Sequence, residues 1–496
     1  MSRSRPAIAA AVAALLLVAG QASATDTPPA STPSDWGRAL EEDARAFHDL
    51  IAESHPGPVD RENPGFNALL ESGLKTALKR ARTADSYEDW YFALKAYAAS
   101  FDDGHLTLDD FQTLGHSWRP AWPGFLTSLR DGSTTVVFNR DPAAPPVGAK
   151  LIQCDGRGAE PLAAELIGSG AGRWSQQSRR ASLAGQLFID IGNPYVRRPS
   201  KCLFDVAGKP TRYELVWREL TPQLNQEGSA AAQSQRFASP IELRTFGEGG
   251  VWIGLSSFEG EVASKPGKEL TALQAAVEAR APEIRAARFV VFDLRGNNGG
   301  SSTWIYGLAR TLWGEGWVAA KQPSGTTVEW RPSQANIDLM VAYKGMLGDD
   351  PNIRRWLDVI EAGLRDARAK GQPLWLQTDD EPPAQAPTVA PTTDMAARVY
   401  ILTDFGCASA CLDAVDLLKA LGGVQVGQET SGDTVYMEVR YGPLPSGRVS
   451  AGVPMKVYRG RARGNNETAV PVHEWTGALN DTTGLEAWIA MIDARR

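Results

Sequence analysis

The chain has 496 residues, 43% of them hydrophobic and 22% charged, with a formal net charge of −7. That length exceeds what one hydrophobic core organises, so two or three domains are expected, and the composition excludes a wholly disordered chain. The acidic balance disfavours nucleic acid or anionic lipid as a partner.

Residues 1–24 read as a signal peptide. Arg3 and Arg5 precede the apolar run Ala7 to Gly20, and Ala22-Ser23-Ala24 fits the small-x-small cleavage pattern. The run is too short to span a bilayer as a mature helix, so no membrane insertion is expected after cleavage. Removing Arg3 and Arg5 takes the formal net charge from −7 to −9. The expected destination is export, periplasmic or secreted. A Pro/Ser/Thr-rich leader follows, from Thr25 to Ser34.

Residues 25–106 pattern as an N-terminal helical region. Leu40, Ala44, Phe47, Leu50 and Ile51 give one apolar face, and further helices are expected over about 65–83 and 87–100. His48 and His55 read as structural or capping residues. Residues 107–238 read as a β module, with strands at 134–139, 150–153, 201–206 and 213–218 and a helical insertion over about 161–187. Residues 239–496 alternate strands (251–255, 289–294, 399–403, 424–426) with helices (267–279, 304–312, and the segment after Ser409). β-Branched runs separated by helices imply an α/β core with largely parallel pairing. Within it, an insertion over about 314–394 has a helical centre and a Pro/Ala/Thr-rich tail. The fold class expected is α+β, multidomain.

Four cysteines in an exported chain suggest one or two disulfides. Cys154 and Cys202 share the β module and can pair. Cys407 and Cys411, at i,i+4 helical spacing, would place their Cα atoms about 6 Å apart, within the range of a bridge. Two small buried thiols packing the turn are the alternative. Cys-x3-Cys with five scattered histidines does not make a zinc set.

The chemistry concentrates in three segments. An apolar strand ends in Cys407-Ala408-Ser409-Ala410-Cys411, which opens a helix. Ser409 is there either a nucleophile held against free helix N–H groups or an ordinary N-cap. A second strand ends in Asp293-Leu294-Arg295-Gly296-Asn297-Asn298-Gly299-Gly300, whose glycines let the backbone approach a ligand. No Gly-Lys-Ser/Thr follows, so it is not a phosphate loop. Ser301 and Ser302 read as N-caps of the next helix. The third segment is Asp102-Asp103-Gly104-His105, at an element boundary where the histidine is placed to project into a cleft. His116 and His473 lie in polar loops without such framing.

These segments together resemble the tail-specific, C-terminal-processing and tricorn family of serine peptidases. The likeness covers about the last half of the chain plus His105, and more faintly the Gly148-Ala149-Lys150-Leu151-Ile152 stretch. It implies a PDZ-like β module and a crotonase-like ββα catalytic core. One branch of the family pairs the serine with a lysine, but Asp433 stands at that position here. The tricorn branch uses Ser, His and Glu. Asn466-Glu467-Thr468-Ala469-Val470-Pro471 matches its glutamate segment imperfectly, lacking the glycine and shifting the proline. Glu467 is then the orienting acid, with an exposed loop glutamate, Asp433 or Glu429 as the alternatives.

The implied mechanism has Ser409 attack a scissile carbonyl while His105 takes its proton and Glu467 orients His105. The N–H of Ala410 and of Gly300, with Gly299 as the near alternative, would hold the oxyanion. No metal or cofactor is required, and the expected partner is a polypeptide substrate. The oligomeric state is not legible. A non-catalytic binding protein on the same fold is the alternative, since retinoid-binding relatives share it. An esterase is disfavoured because no Gly-x-Ser-x-Gly surrounds Ser409.

Overall fold

Apolar residues recurring at three- and four-residue spacing set the N-terminal helices Trp36–Ser54, Phe66–Ala81 and Tyr87–Ala99. A computed structural model of the chain describes residues 35–110, 119–130, 132–232, 237–323, 325–347, 351–377 and 392–495. The expected signal peptide, the leader and His116 lie outside the described residues. Leu40, Phe47 and Ile51 of the first helix share one core with Phe66 and Leu70 of the second and Trp90 and Tyr97 of the third. Ser86 caps the third helix, its side chain accepting from the Asp89 N–H. Val449, Ala451 and Val453, from far along the chain, close the same core.

The β module is an antiparallel sheet in the order Phe125–Arg130, Ser133–Asn139, Lys150–Cys154, Lys201–Val206, Lys209–Glu214. Cys154 lies directly opposite Cys202 in register, and the two form a disulfide with Cα atoms 4.0 Å apart. The helical insertion is not continuous. It breaks after Ser169–Ala171 and resumes at Gln177–Leu183. Gly172, at φ +62°, turns the chain there, and a Cβ on it would meet the Ala99 carbonyl at 2.9 Å.

The strand after His105, Thr107–Asp110, does not join this module, where the sequence reading placed it. It pairs antiparallel with Val449–Arg459, which also pairs with Tyr436–Pro443 and Thr327–Trp330. The loop bearing His105 is thereby fastened to the C-terminal unit. The insertion helices Gln334–Leu347 and Pro351–Ala369 pack on the far part of this sheet through Trp330, Ile337, Leu357 and Ile360.

The remaining sheet carries the candidate site. Its order is Glu242–Phe246, Gly250–Gly254, Phe289–Asp293, Arg398–Thr403, Val424–Gly427, His473–Glu474; the first pair is antiparallel and the others are parallel. Gly250–Gly254 and Phe289–Asp293 are buried along their whole length, as strands covered on both faces must be. Helices Lys265–Ala279, Thr303–Trp313 and Ala410–Ala420 cover one face, and Thr482–Ala494 covers the other. Loops at the C-terminal ends of parallel strands converge on one edge, where such sheets place their ligands. No helix among the described residues is long and apolar enough to cross a membrane.

Candidate active site

Ser409 follows the strand Arg398–Thr403 and immediately precedes the helix Ala410–Ala420. Its backbone sits at φ +54°, ψ −125°, a region an L residue rarely occupies and which costs on the order of 1–3 kcal/mol. The side chain makes no capping bond to the helix, so the ordinary N-cap role is not the one it plays. Ser409 is exposed, and among the described residues its Oγ has no hydrogen-bond partner.

Three connections hold this turn. Cys407 and Cys411 form a disulfide around it, with Cα atoms 5.3 Å apart. The Ser431 N–H donates to the Cys407 carbonyl at 3.0 Å, and the Cys411 N–H to the Ala408 carbonyl at 3.1 Å. Buried Asp404 accepts from the Gly296 and Gly406 N–H groups, both at 2.9 Å, and so ties the serine turn to the glycine-rich loop. Burial pushes the Asp404 carboxyl up to about 6, against those two N–H groups that favour the anion.

The Asp-Leu-Arg strand end is architectural. Arg295 is buried and grips Asp293 in a bidentate pair, Nε to Oδ1 at 2.8 Å and Nη2 to Oδ2 at 2.6 Å. Trp252 Nε1 donates to the same carboxylate at 3.1 Å. Beyond it, Asn297 shapes the loop: Nδ2 donates to the Leu255 carbonyl at 2.7 Å and Oδ1 accepts the Gly299 N–H at 2.9 Å. That last bond occupies the Gly299 donor. The N–H groups of Gly300 and Ala410 have no partner among the described residues. Of the two glycines, Gly300 is therefore the one whose N–H is available for an oxyanion. Ser302, expected as an N-cap, makes no capping bond and instead donates to Asp413 Oδ2 at 2.7 Å.

His105 is half-buried on the loop after the helix Tyr87–Ala99. Its N–H donates to Asp103 Oδ1 at 2.8 Å, and its Nδ1 lies 2.9 Å from the Tyr436 carbonyl oxygen. A carbonyl only accepts, so this bond assigns the proton of the neutral ring to Nδ1 and leaves Nε2 with its lone pair. His105 and the serine turn are fastened to one short segment, Ser431 at one end and Tyr436 at the other. Five residues of chain span at most about 17 Å. His105 Nε2 and Ser409 Oγ are not hydrogen-bonded to each other.

None of the three candidate acids contacts His105. Glu467 is exposed, and its Oε2 accepts the Gly464 N–H at 2.6 Å. It stands beside the histidine loop, because its neighbour Asn466 donates from Nδ2 to the Asp102 carbonyl at 2.6 Å. Asp433 is buried between Arg461 and Arg463, at 3.2 and 3.4 Å. Glu429 accepts from Thr468 Oγ1. The contact an acid would make on Nδ1 is made instead by the Tyr436 carbonyl. Tyr436, Asp404 and Asn297 escaped the sequence reading; His105 and Tyr436 are 331 residues apart, and no local pattern joins them.

The lysines are accounted for elsewhere. Burial lowers Lys456, but Glu438 at 3.0 Å more than restores it, so Lys456 is a charged partner and not a neutral base. Lys419 is lowered by burial, opposed by Asp416 and Glu467. It lies ten residues along the helix from Ser409, a rise of about 15 Å. Among the described residues no cluster of His, Cys, Asp and Glu is set to hold a metal ion.

An exposed serine in a strained strand-to-helix turn, beside two unpartnered N–H groups on a mostly parallel sheet, has the arrangement that a serine nucleophile requires. Residues 230–464 match the model of peptidase family S41, and this stretch is similar to the serine peptidases of that family. Ser409 and the glycine-rich loop fall inside the match; His105 and Glu467 fall outside it. The structure of mature CPAF complexed with lactacystin has the same fold, with a TM-score of 0.58 at 13% identity over 93% of this chain and all of that one. A second structure of mature CPAF gives 0.56 at 13% identity, over 92% and 97% of the two chains. No curated protein matches the chain.

Proposed function

We propose that the protein is an exported serine endopeptidase that hydrolyses polypeptides through an acyl-enzyme. The observation that carries this is the placement of Ser409: exposed, at φ +54°, with the free N–H groups of Ala410 and Gly300 beside it. Ser409 attacks the scissile carbonyl, forming the C–O bond as its proton passes to His105 Nε2. The developing oxyanion lies against the Gly300 and Ala410 N–H groups, where the helix dipole also favours negative charge. His105 then delivers the proton to the leaving amine, and water repeats the sequence to release the acid. Glu467, beside the histidine loop, supplies countercharge to the imidazolium.

The antiparallel module over 125–214 acts as a PDZ-like domain, adding an extended polypeptide to a sheet edge. The sheet around Ser409 serves as the crotonase-like ββα core. Two disulfides and the signal-peptide pattern of residues 1–24 support the exported, periplasmic or secreted setting.

A fluorophosphonate probe tests the reading directly. Wild type should label and cleave an unfolded polypeptide, and Ser409→Ala should do neither. That Ser409 and His105 make no hydrogen bond to each other favours one other reading, a binding protein on the same fold. Folded wild type that neither labels nor cleaves, yet retains a peptide, would establish that instead.

A further inference from the structure

Behind the bond on His105 Nδ1, Tyr436 is held at its ring and at its hydroxyl. Tyr436 is 2% exposed. Its ring packs on His55, centroids 4.6 Å apart, and on Phe66 at 6.1 Å. Its hydroxyl donates to Asp60 Oδ2 at 2.7 Å and accepts from Asn63 Nδ2 at 3.2 Å. Asp60 is in turn gripped by Arg459, Nη2 to Oδ1 at 2.8 Å and Nη1 to Oδ2 at 3.1 Å, and accepts the Glu62 N–H at 2.9 Å. The other tether, Asp103, is held by buried His55, whose Nδ1 accepts the Gly57 N–H and whose Nε2 faces Asp103 Oδ2 at 3.4 Å.

We infer that Tyr436, anchored by Asp60 and Arg459, is the positioning residue for the base, its carbonyl holding the His105 tautomer that an acid would otherwise select. This rests on the serine–histidine reading above. Asp60 and Asn63 belong to the N-terminal region and Arg459 to the C-terminal hairpin, so the docking of the two regions sets the aim of the imidazole. A base acts only when its lone pair faces the nucleophile, and misplacement by about 1 Å can lower a rate on the order of 10²-fold. The carbonyl is neutral and fixes direction without charge. Orientation and countercharge are thereby divided between Tyr436 and Glu467.

Two conservative variants test this. Tyr436→Phe keeps the ring packing and removes the hydroxyl anchor; Asp60→Asn keeps an acceptor for Tyr436 and removes the ion pair with Arg459. Each should lower kcat about 10-fold or more with KM nearly unchanged, and slow fluorophosphonate labelling in parallel, at a near-native melting temperature. Nitrogen-15 NMR of histidine-labelled wild type, assigned with His105→Ala, should show the Nδ1–H tautomer at His105. An Nε2–H tautomer in wild type overturns the inference without any variant having to fold. Wild-type kcat in both folded variants also overturns it. If His105→Ala itself keeps full turnover, the serine–histidine reading fails, a separate outcome.

Discussion

Gly299 and Ser409 touch: a Cβ built on Gly299 would lie 2.7 Å from the Ser409 Cβ and 2.8 Å from the Ala408 carbonyl oxygen. Gly299 also sits at φ +104°, where a side chain is strained whatever the space. The glycine-rich loop and the serine turn are therefore one structure, drawn together by Asp404, which accepts from the Gly296 and Gly406 N–H groups.

Gly299→Ala should displace the serine turn or the loop. The expected result is a folded protein with turnover reduced on the order of 10²-fold or more, comparable to losing an oxyanion donor. Steady-state kinetics with a circular dichroism control would check this. Unchanged kcat would mean that the contact has no bearing on the nucleophile.

The catalytic assignment makes a graded series. His105→Ala should reduce turnover nearly as far as Ser409→Ala, because the two act as a unit. Glu467→Gln should lose less, since the acid makes no contact with the ring here. Lys419→Ala should keep its activity. Lys456→Ala should keep activity per folded molecule but destabilise the fold by about 3–5 kcal/mol, because it leaves Glu438 as an uncompensated buried charge. A Lys419→Ala protein as inactive as His105→Ala would return the lysine arrangement to consideration.

The two disulfides should separate on reduction. Cys407–Cys411 brackets Ser409, whereas Cys154–Cys202 crosslinks paired strands in the β module. Exchange with a dithiol, which becomes oxidised as the protein disulfide takes up two electrons and two protons, should lower activity in the double variant Cys154→Ala/Cys202→Ala, which retains only the bridge at the serine. A Cys407→Ala/Cys411→Ala protein should start with low activity and respond little. Activity and melting temperature followed together would show whether the turn is lost before the fold.

Asp404 gives a pH signature. Its carboxyl titrates at about 6 in the folded chain, against 3.8 as the ordinary value. On raising the pH from about 4 to 6, the unfolded chain loses this proton first. The group therefore destabilises the fold progressively across that window, by about 3 kcal/mol at most above it. Asp404→Asn loses one of the two N–H bonds at every pH but removes the titration. The stability of the variant relative to wild type should thus rise across the window, which denaturant titrations at about pH 4 and pH 7 would reveal. A constant difference would show that Asp404 does not titrate there.

Much of this site was legible as pattern. The strand ending at Asp293, the glycines after it, and the serine opening a helix are contiguous in sequence, and each is dictated locally by β-branched runs, glycine freedom and the need to start a helix. The helices Phe66–Ala81 and Tyr87–Ala99 fell within two residues of their expected bounds. The hairpin Tyr436–Pro443 with Val449–Arg459 was missed, since its inner strand is buried almost throughout and shows little alternation. The strand Thr107–Asp110 was assigned to the wrong neighbour, because nothing in four residues states which sheet edge they will meet.

By itself, the sequence determined the local form of the three candidate segments: Ser409 before a helix, the loop ending at Gly300, and His105 after a turn. Each depends on interactions between residues a few positions apart. The tertiary structure alone decided which donors stay free and what holds His105. Asn297 consumes the Gly299 N–H, and Tyr436, fixed by Asp60 and Arg459, holds His105 where Glu467 was expected. A backbone carbonyl carries no side-chain signature, and its pairing with a histidine 331 residues away exists only once two separate regions have docked.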